Sequence, residues 1–195
     1  LNGLPAQKDN LFGQAYSLRA LCYFHLIQFY QQTYIGHEQA PGVPLYITPT
    51  TSSTPGNPRG TVEEVYARIN KDIERGISLL KDAEEQGVTQ IHKSHIDYYV
   101  ANGIKSRIAL VQNRWKDALD AAQIALEKPD LKLAGTSDLT KGFNQLGMVS
   151  VLWGAEIQKS DQIGAYASFF GHMDATAGMH GSYDRKCISA WLYKQ

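Results

Sequence analysis

The sequence lacks any imbalance of charge. Lysine plus arginine equals aspartate plus glutamate, at 19 each in 195 residues. Proteins that track nucleic acid or an anionic membrane surface carry a basic excess, so both classes are disfavoured. Cysteine is scarce, with two in the chain. Cys22, between Leu21 and Tyr23, reads as a buried thiol and Cys187 as an incidental one. A disulfide between them stays open, although nothing demands one. No apolar run approaches the roughly 20 residues that span a bilayer as a helix. Neither a signal peptide nor a lipid-attachment cysteine stands near Leu1, and the chain opens without methionine, so missing targeting signals say nothing of location. There is no phosphate-binding glycine loop followed by Lys-Ser/Thr, and no Gly-x-Ser-x-Gly elbow.

What is present is ordinary core material: 43% hydrophobic and 19% charged residues, enough for a folded chain and against disorder. Four helices follow from apolar periodicity. The first is expected from Asp9 or Asn10 to Gln32, with Leu11, Ala15, Leu18, Cys22, Leu26 and Phe29 as its stripe. Phe12, Tyr23, Ile27 and Tyr30 widen that stripe, so the helix should be central, with neighbours on two sides. Residues 33–60 carry Pro41, Pro44, Pro49, Pro55 and Pro58, which exclude helix and predict a long extended surface excursion. Thr61-Val62-Glu63-Glu64 is a capping box, opening a second helix with Val62, Tyr66, Ile69, Ile73, Ile77 and Leu80 on one face and a stop before Gly87.

A third helix is expected from about Ser94, with Ile96, Val100, Ile104, Ile108 and Val111 inward, and a fourth from Trp115 to a stop at Pro129. Its inward residues are expected to be Trp115, Ala118, Leu119, Ala122, Ala125 and Leu126. The short Gln112-Asn113-Arg114 connection makes the last two an antiparallel hairpin. Trp115, Ala118, Ala122, Ala125 and Leu126 before Pro129 fit the second helix of a tetratricopeptide repeat, although Ala109 stands where the first helix usually has an aromatic residue. The expected fold is therefore mainly α: antiparallel tetratricopeptide-like hairpins over residues 1–130, an α-α superhelix with a proline-rich insertion at 33–60. A loop-rich segment over 131–195 packs on it, with Met148–Ile157 a candidate short strand.

Catalytic constellations are hard to assemble. His92 and His95 lack further ligands at metal spacing, and His172 and His180 with Asp174 and Asp184 sit in glycine-rich sequence that supports no defined geometry. The carboxylate pairs Asp72/Glu74 and Glu84/Glu85 read as solvated, outside any setting that shifts a pKa. Arg19, inside the most apolar helix, reads as paired with a helix carboxylate or a carbonyl rather than with a ligand. The functional lead is aromatic. Trp153, Tyr166, Phe169, Phe170, Tyr183 and Trp191 crowd a segment without periodicity, next to Asp184 and Arg185. Rings that stack on sugar C–H faces, with polar groups for hydroxyls, make a carbohydrate cleft. The plainer reading is that each ring anchors a loop to the helices.

Together these pieces resemble the SusD/RagB family. Gly13–Tyr30 is similar to its RAxxYFxL helix, Pro41–Leu45 to its Gly-Val/Ile-Pro-Leu segment, and Arg59–Leu80 to its capped R-x-T-V-x-E-V-Y helix. Ser106–Leu110 with Trp115–Leu126, then the VLWGAEI stretch at 151–157 and SYDRK at 182–186, continue the likeness in order. The resemblance implies a cell-surface lipoprotein of the outer membrane that captures oligosaccharides or other nutrients and works with a SusC-like, TonB-dependent transporter. It implies no cofactor and no catalytic residue. Family members are substantially longer than this chain. The competing readings are a helical-repeat scaffold that binds a protein partner without a small ligand, and an enzyme whose polar constellation would have to involve Asp174, Asp184 or His172.

Overall fold

The computed structural model describes residues 3–89, 92–140 and 145–156. By internal contacts the chain divides into two compact units, Leu1–Ala155 and Glu156–Gln195; the description below concerns the first.

Helix α1 (Pro5–Tyr30) begins earlier than the periodicity suggests. Pro5 takes the first helical position, where its missing N–H costs nothing and its fixed φ is already helical. After α1 the chain runs through turns into strand β1 (Pro41–Pro44), which pairs antiparallel with β2 (Arg59–Thr61), Pro41 opposite Thr61 and Pro44 opposite Arg59. The excursion is thus partly structural rather than wholly superficial, and Val43 is buried in the core. Gly42 is required there, since a Cβ would lie 2.7 Å from the carbonyl oxygen of Thr61.

Helix α2 (Val62–Glu85) starts with the expected capping box: Thr61 Oγ1 accepts from the Glu64 N–H at 3.1 Å, and Glu64 accepts from the Thr61 N–H at 2.7 Å. It ends in a Schellman turn. Gly87 adopts φ 83°, and the Val88 and Gly87 N–H groups donate back to Ala83 and Glu84. Helix α3 (Tyr98–Val111) is capped by Asp97, whose Oδ1 accepts from the Val100 N–H at 2.8 Å, so the start lies three residues later than the expected Ser94. Asn113 supplies the left-handed turn (φ 55°) into α4 (Trp115–Leu126), and a single-turn helix α5 (Thr136–Leu139) follows. Residues 148–156 form turns and irregular backbone, not the strand expected from their alternation.

The helices stack in sequence order, α1 on α2, α2 on α3 and α3 on α4, as antiparallel hairpins require. Phe24, Ile27, Tyr66, Ile69, Ile73, Leu80 and Ile108 are essentially inaccessible. Each such side chain contributes about 1.5–3 kcal/mol through loss of apolar surface from water. The expected face of α2 is the one observed, with Ile77 partly buried, and so is that of α3. The other two faces differ from expectation, α1 in most of its stripe and α4 in its large residues. On α1 the buried residues are Ala6, Gly13, Ser17, Ala20, Leu21, Tyr23, Phe24 and Ile27, whereas Leu11, Leu18, Leu26 and Phe29 face outward, and so does Cys22, which is an exposed thiol and not the buried one expected. On α4 Ala118 and Ala125 face α3 as expected, joined by Ala121, whereas Trp115, Leu119 and Leu126, also expected inward, are exposed. On α4 the inward face is small throughout, and on α1 the small Gly13, Ser17 and Ala20 share it with Phe24 and Ile27, so that the backbones approach closely at the small positions. Ser106 Oγ even donates to the Ala118 carbonyl of α4 at 2.8 Å.

Candidate functional site

The outward face of α1 and the segment around β1 enclose an open groove of about 700 Å³. Arg19, Cys22, Leu26 and Tyr30 form its helical wall, and Val43, Pro44, Tyr46 and Arg59 the other. Four of its polar side chains, Arg19, Tyr23, Tyr46 and Arg59, are already engaged. The Tyr23 hydroxyl accepts from the Tyr46 N–H at 2.6 Å and donates to the Tyr46 carbonyl at 3.0 Å. The Tyr46 hydroxyl accepts from the Asn57 N–H. Arg59 donates to the carbonyls of Gly42 (2.6 Å) and Pro41 (3.0 Å).

Arg19 is the most heavily committed. Its Nε and Nη2 donate to the two carboxylate oxygens of Asp72, at 2.7 and 2.8 Å, and its Nη1 to the Ile47 carbonyl at 3.2 Å. The reading of Arg19 as paired with a carboxylate and a carbonyl is therefore correct. The reading of Asp72 as solvated is not: it is 1% exposed and also accepts from Arg68, four residues before it. Hydrogen bonding to Asp72 raises the Arg19 pKa further above its ordinary value, so the groove keeps a fixed positive charge. What the groove offers is rigid apolar contact. Among its lining residues there is no carboxylate and no nucleophile paired with a base.

A smaller cleft of about 370 Å³ lies where the α2 C-terminus meets the α3 N-terminus and the end of α4. Lys128 pairs with Asp97 and lies 5.6 Å from the centre of the Tyr99 ring. Glu84 lines this cleft and is not fully solvated: burial, then the charge of Asp97, pushes its carboxyl pKa up. Because the charged form is penalised only in the fold, the penalty exists above the ordinary carboxylate range and vanishes below it. Glu84→Gln is therefore expected to raise the melting temperature by a degree or so at pH 7 and to leave it unchanged at pH 3, as differential scanning fluorimetry would show.

Of the aromatic residues proposed for ligand contact, Trp153 is in the described part. Its Nε1 donates to the Ser94 carbonyl at 3.0 Å, and it remains 37% exposed. The Gly154 N–H donates to the Lys93 carbonyl and Lys93 Nζ to the Met148 carbonyl, so this stretch is strapped to the α2–α3 connection. Tyr166, Phe169, Phe170, Tyr183, Asp184 and Arg185 lie outside the described residues, as do Trp191, Cys187, His172, His180 and Asp174. His92 and His95 stack edge to face at 5.5 Å. Among the described residues no three His, Cys, Asp or Glu side chains group as metal ligands, and no helix is long and apolar enough to cross a membrane.

A family model described as starch-binding and associating with the outer membrane matches residues 2–110. The chain belongs to the SusD-like family. Solved SusD-like structures agree with that membership. A SusD-like carbohydrate binding protein from Bacteroides vulgatus ATCC 8482 superposes with a TM-score of 0.77 at 28% identity, over 90% of this chain and 36% of its own. A SusD superfamily protein from Bacteroides thetaiotaomicron VPI-5482 gives 0.72 at 20% identity, over 97% and 39%, and shares the fold. One from Bacteroides fragilis gives 0.54 at 28%, over 65% and 28%. Among curated proteins none matches. The chain thus spans well under half the length of these SusD-like proteins. Sequence reading misses the groove beside α1, yet a signal exists: large apolar residues stand on two sides of α1, among them Leu11, Leu18, Leu26 and Phe29 opposite Phe24 and Ile27.

Proposed function

We propose that this chain is the helical frame of a SusD-like protein that binds oligosaccharide at the outer membrane for a SusC-like, TonB-dependent transporter. The observation that carries the proposal is the family match across residues 2–110, joined to 28% identity with a carbohydrate binding protein over most of the chain. In this reading residues 1–130 are the frame and residues 131–195 present the ligand-contacting rings. Trp153, held by its Nε1 and open on part of its ring, offers a stacking platform, with Tyr166, Phe169, Phe170, Tyr183, Asp184 and Arg185 as the further contacts. The protein acts by binding, without a cofactor and without catalysis, and is carried on the cell surface as a lipoprotein.

Isothermal titration against starch-like, host-derived and plant glycans is expected to show saturable heat with at least one class. Trp153→Ala should weaken that binding about tenfold, or about 1.4 kcal/mol. Silence across the whole panel with folded protein would remove the sugar reading. The second reading, a scaffold for a protein partner, draws support from the apolar character of the α1 groove, whose two arginines are already paired. Co-purification of a transporter without any glycan heat would favour it.

A further inference from the structure

Three hollows adjoin one another at the end of the helical frame where α1 begins and α2 and α4 stop. The 370 Å³ cleft shares Asn10, Val88, Thr89 and Asp97 with a second of about 320 Å³, which runs along Gln14 and His95. It shares Lys128, Pro129 and Asp130 with a third of about 60 Å³, which reaches Val149 and Val151. Both ends of this run lead toward Trp153. Val151 stands two residues before it, and the Trp153 indole N–H is tied to the Ser94 carbonyl, next to His95. All of these residues belong to the first compact unit.

The lining keeps hydrogen-bonding capacity. The Ile96 N–H donates to Gln14 Oε1 at 3.3 Å, which leaves Gln14 Nε2 to donate to Asn10 Oδ1 at 2.7 Å. This relay fixes the orientation of both amides and reserves Asn10 Nδ2 as a donor. Among the described residues neither Asn10 Nδ2 nor the Asp130 carboxylate has a hydrogen-bond partner. Glu84 takes one bond from the Tyr99 hydroxyl and has lone pairs left for others. The rings of Tyr98 and Tyr99, edge to face at 5.4 Å, supply the apolar part of the wall. A hydrocarbon ligand would leave these polar groups unpaired. A sugar uses them, because its neighbouring hydroxyls both accept from an amide N–H and donate to a carboxylate.

Charge narrows the class. Glu84, Asp97 and Asp130 face a single ammonium, Lys128, which is already paired with Asp97. A uronate, sialate or sulfate would meet this negative excess, and an uncharged sugar would not. We infer that the joined hollows are a saccharide site for uncharged sugar residues, in which Asn10 donates to and Asp130 accepts from sugar hydroxyls, with Trp153 at the margin. The inference rests on the oligosaccharide reading and adds to it a place in the helical frame and a charge preference.

Isothermal titration of the 195-residue chain with maltotriose, cellotriose, triacetylchitotriose and tri-galacturonate tests it. At least one uncharged trisaccharide should bind, and tri-galacturonate should bind at least about tenfold more weakly at pH 7. Asn10→Ala should weaken the uncharged ligand about tenfold. Asp130 has φ 66°, a conformation that asparagine also adopts, so Asp130→Asn removes charge without straining the backbone. It should weaken the uncharged ligand and narrow the gap to tri-galacturonate, a change that a purely structural residue would not produce. Should Asn10→Ala fail to fold, Asp130→Asn decides. Parental affinity for the uncharged ligand in the folded variants would overturn the inference and leave the oligosaccharide reading intact. Tighter binding of tri-galacturonate would overturn it as well. Loss of binding in the cleft variants but not in Trp153→Ala would uphold the cleft and remove the Trp153 platform. Silence of the folded parent toward all four ligands would overturn both.

Discussion

Asp72→Ala is expected to cost about 3 kcal/mol, because it leaves two guanidinium groups facing a site built around one carboxylate. Asp72 is 1% exposed and receives four charge-assisted hydrogen bonds, two from Arg19 on α1 and two from Arg68 on its own helix. Arg19 also reaches the Ile47 carbonyl, so the cluster ties α1, α2 and the excursion after β1 together. The expected loss sits at the lower end of the range for broken buried pairs because both arginines keep some access to water, 27% and 19%. Urea denaturation would read it, together with a fall in melting temperature of roughly 6–12 °C for a chain of this size. Asp72→Asn, which preserves shape and some hydrogen bonding, should lose less. In an Arg19→Ala and Asp72→Ala double-mutant cycle a coupling of about 1 kcal/mol or more is expected. Additive losses would show that the pair does not act as a tie.

The second large effect is steric. Where α1 crosses α2, Gly13 and Gly76 meet with almost no side chain between the backbones. A Cβ on Gly76 would collide with Ser17 Oγ and would lie 3.0 Å from the Gly13 carbonyl oxygen and 3.1 Å from the Ser17 amide nitrogen. A Cβ on Gly13 would lie 2.6 Å from Leu80 Cγ. Gly→Ala in an exposed helix normally stabilises by about 0.5–1 kcal/mol. At Gly76 the sign should reverse, to a loss of about 1–3 kcal/mol from forced separation of the helices. Gly76→Val should prevent the α1–α2 pair from closing. Adding Ser17→Ala to Gly76→Ala relieves the hydroxyl contact but not the two backbone ones, so rescue should be incomplete. Gly56→Ala is the control: nothing lies within 4 Å of its Cβ, and its effect should be small. A Gly76→Ala protein more stable than the parent would refute the close crossing.

These two sites also show where sequence reading succeeds and where it stops. Helix α2 is legible in its start, its stop and its apolar face, though not in the burial of Asp72. Its charged residues occupy one side, its branched apolar residues the other, and its cap and Gly87 stop have fixed backbone chemistry. Helix α1 was legible as a helix but not in orientation. Large apolar residues stand on both sides, so periodicity gives two good stripes. The buried one combines Phe24 and Ile27 with Gly13, Ser17 and Ala20, which allow the closest approach to α2. The same trade of bulk against approach turned Trp115 outward on α4. Asp72 belonged to a pair looking solvated by composition, and only its placement opposite Arg19, 53 residues earlier, reveals it as buried.

The sequence by itself determined the helical class, the hairpin order, the capping box and glycine stop of α2, and family membership, because each is written in neighbouring residues whose backbone preferences act locally. Tertiary structure alone decided which face of α1 and α4 goes inward, that Asp72 binds two arginines, and that a groove opens beside β1. Those outcomes depend on the distance between backbones brought together from far apart in the chain, and no local pattern encodes that distance.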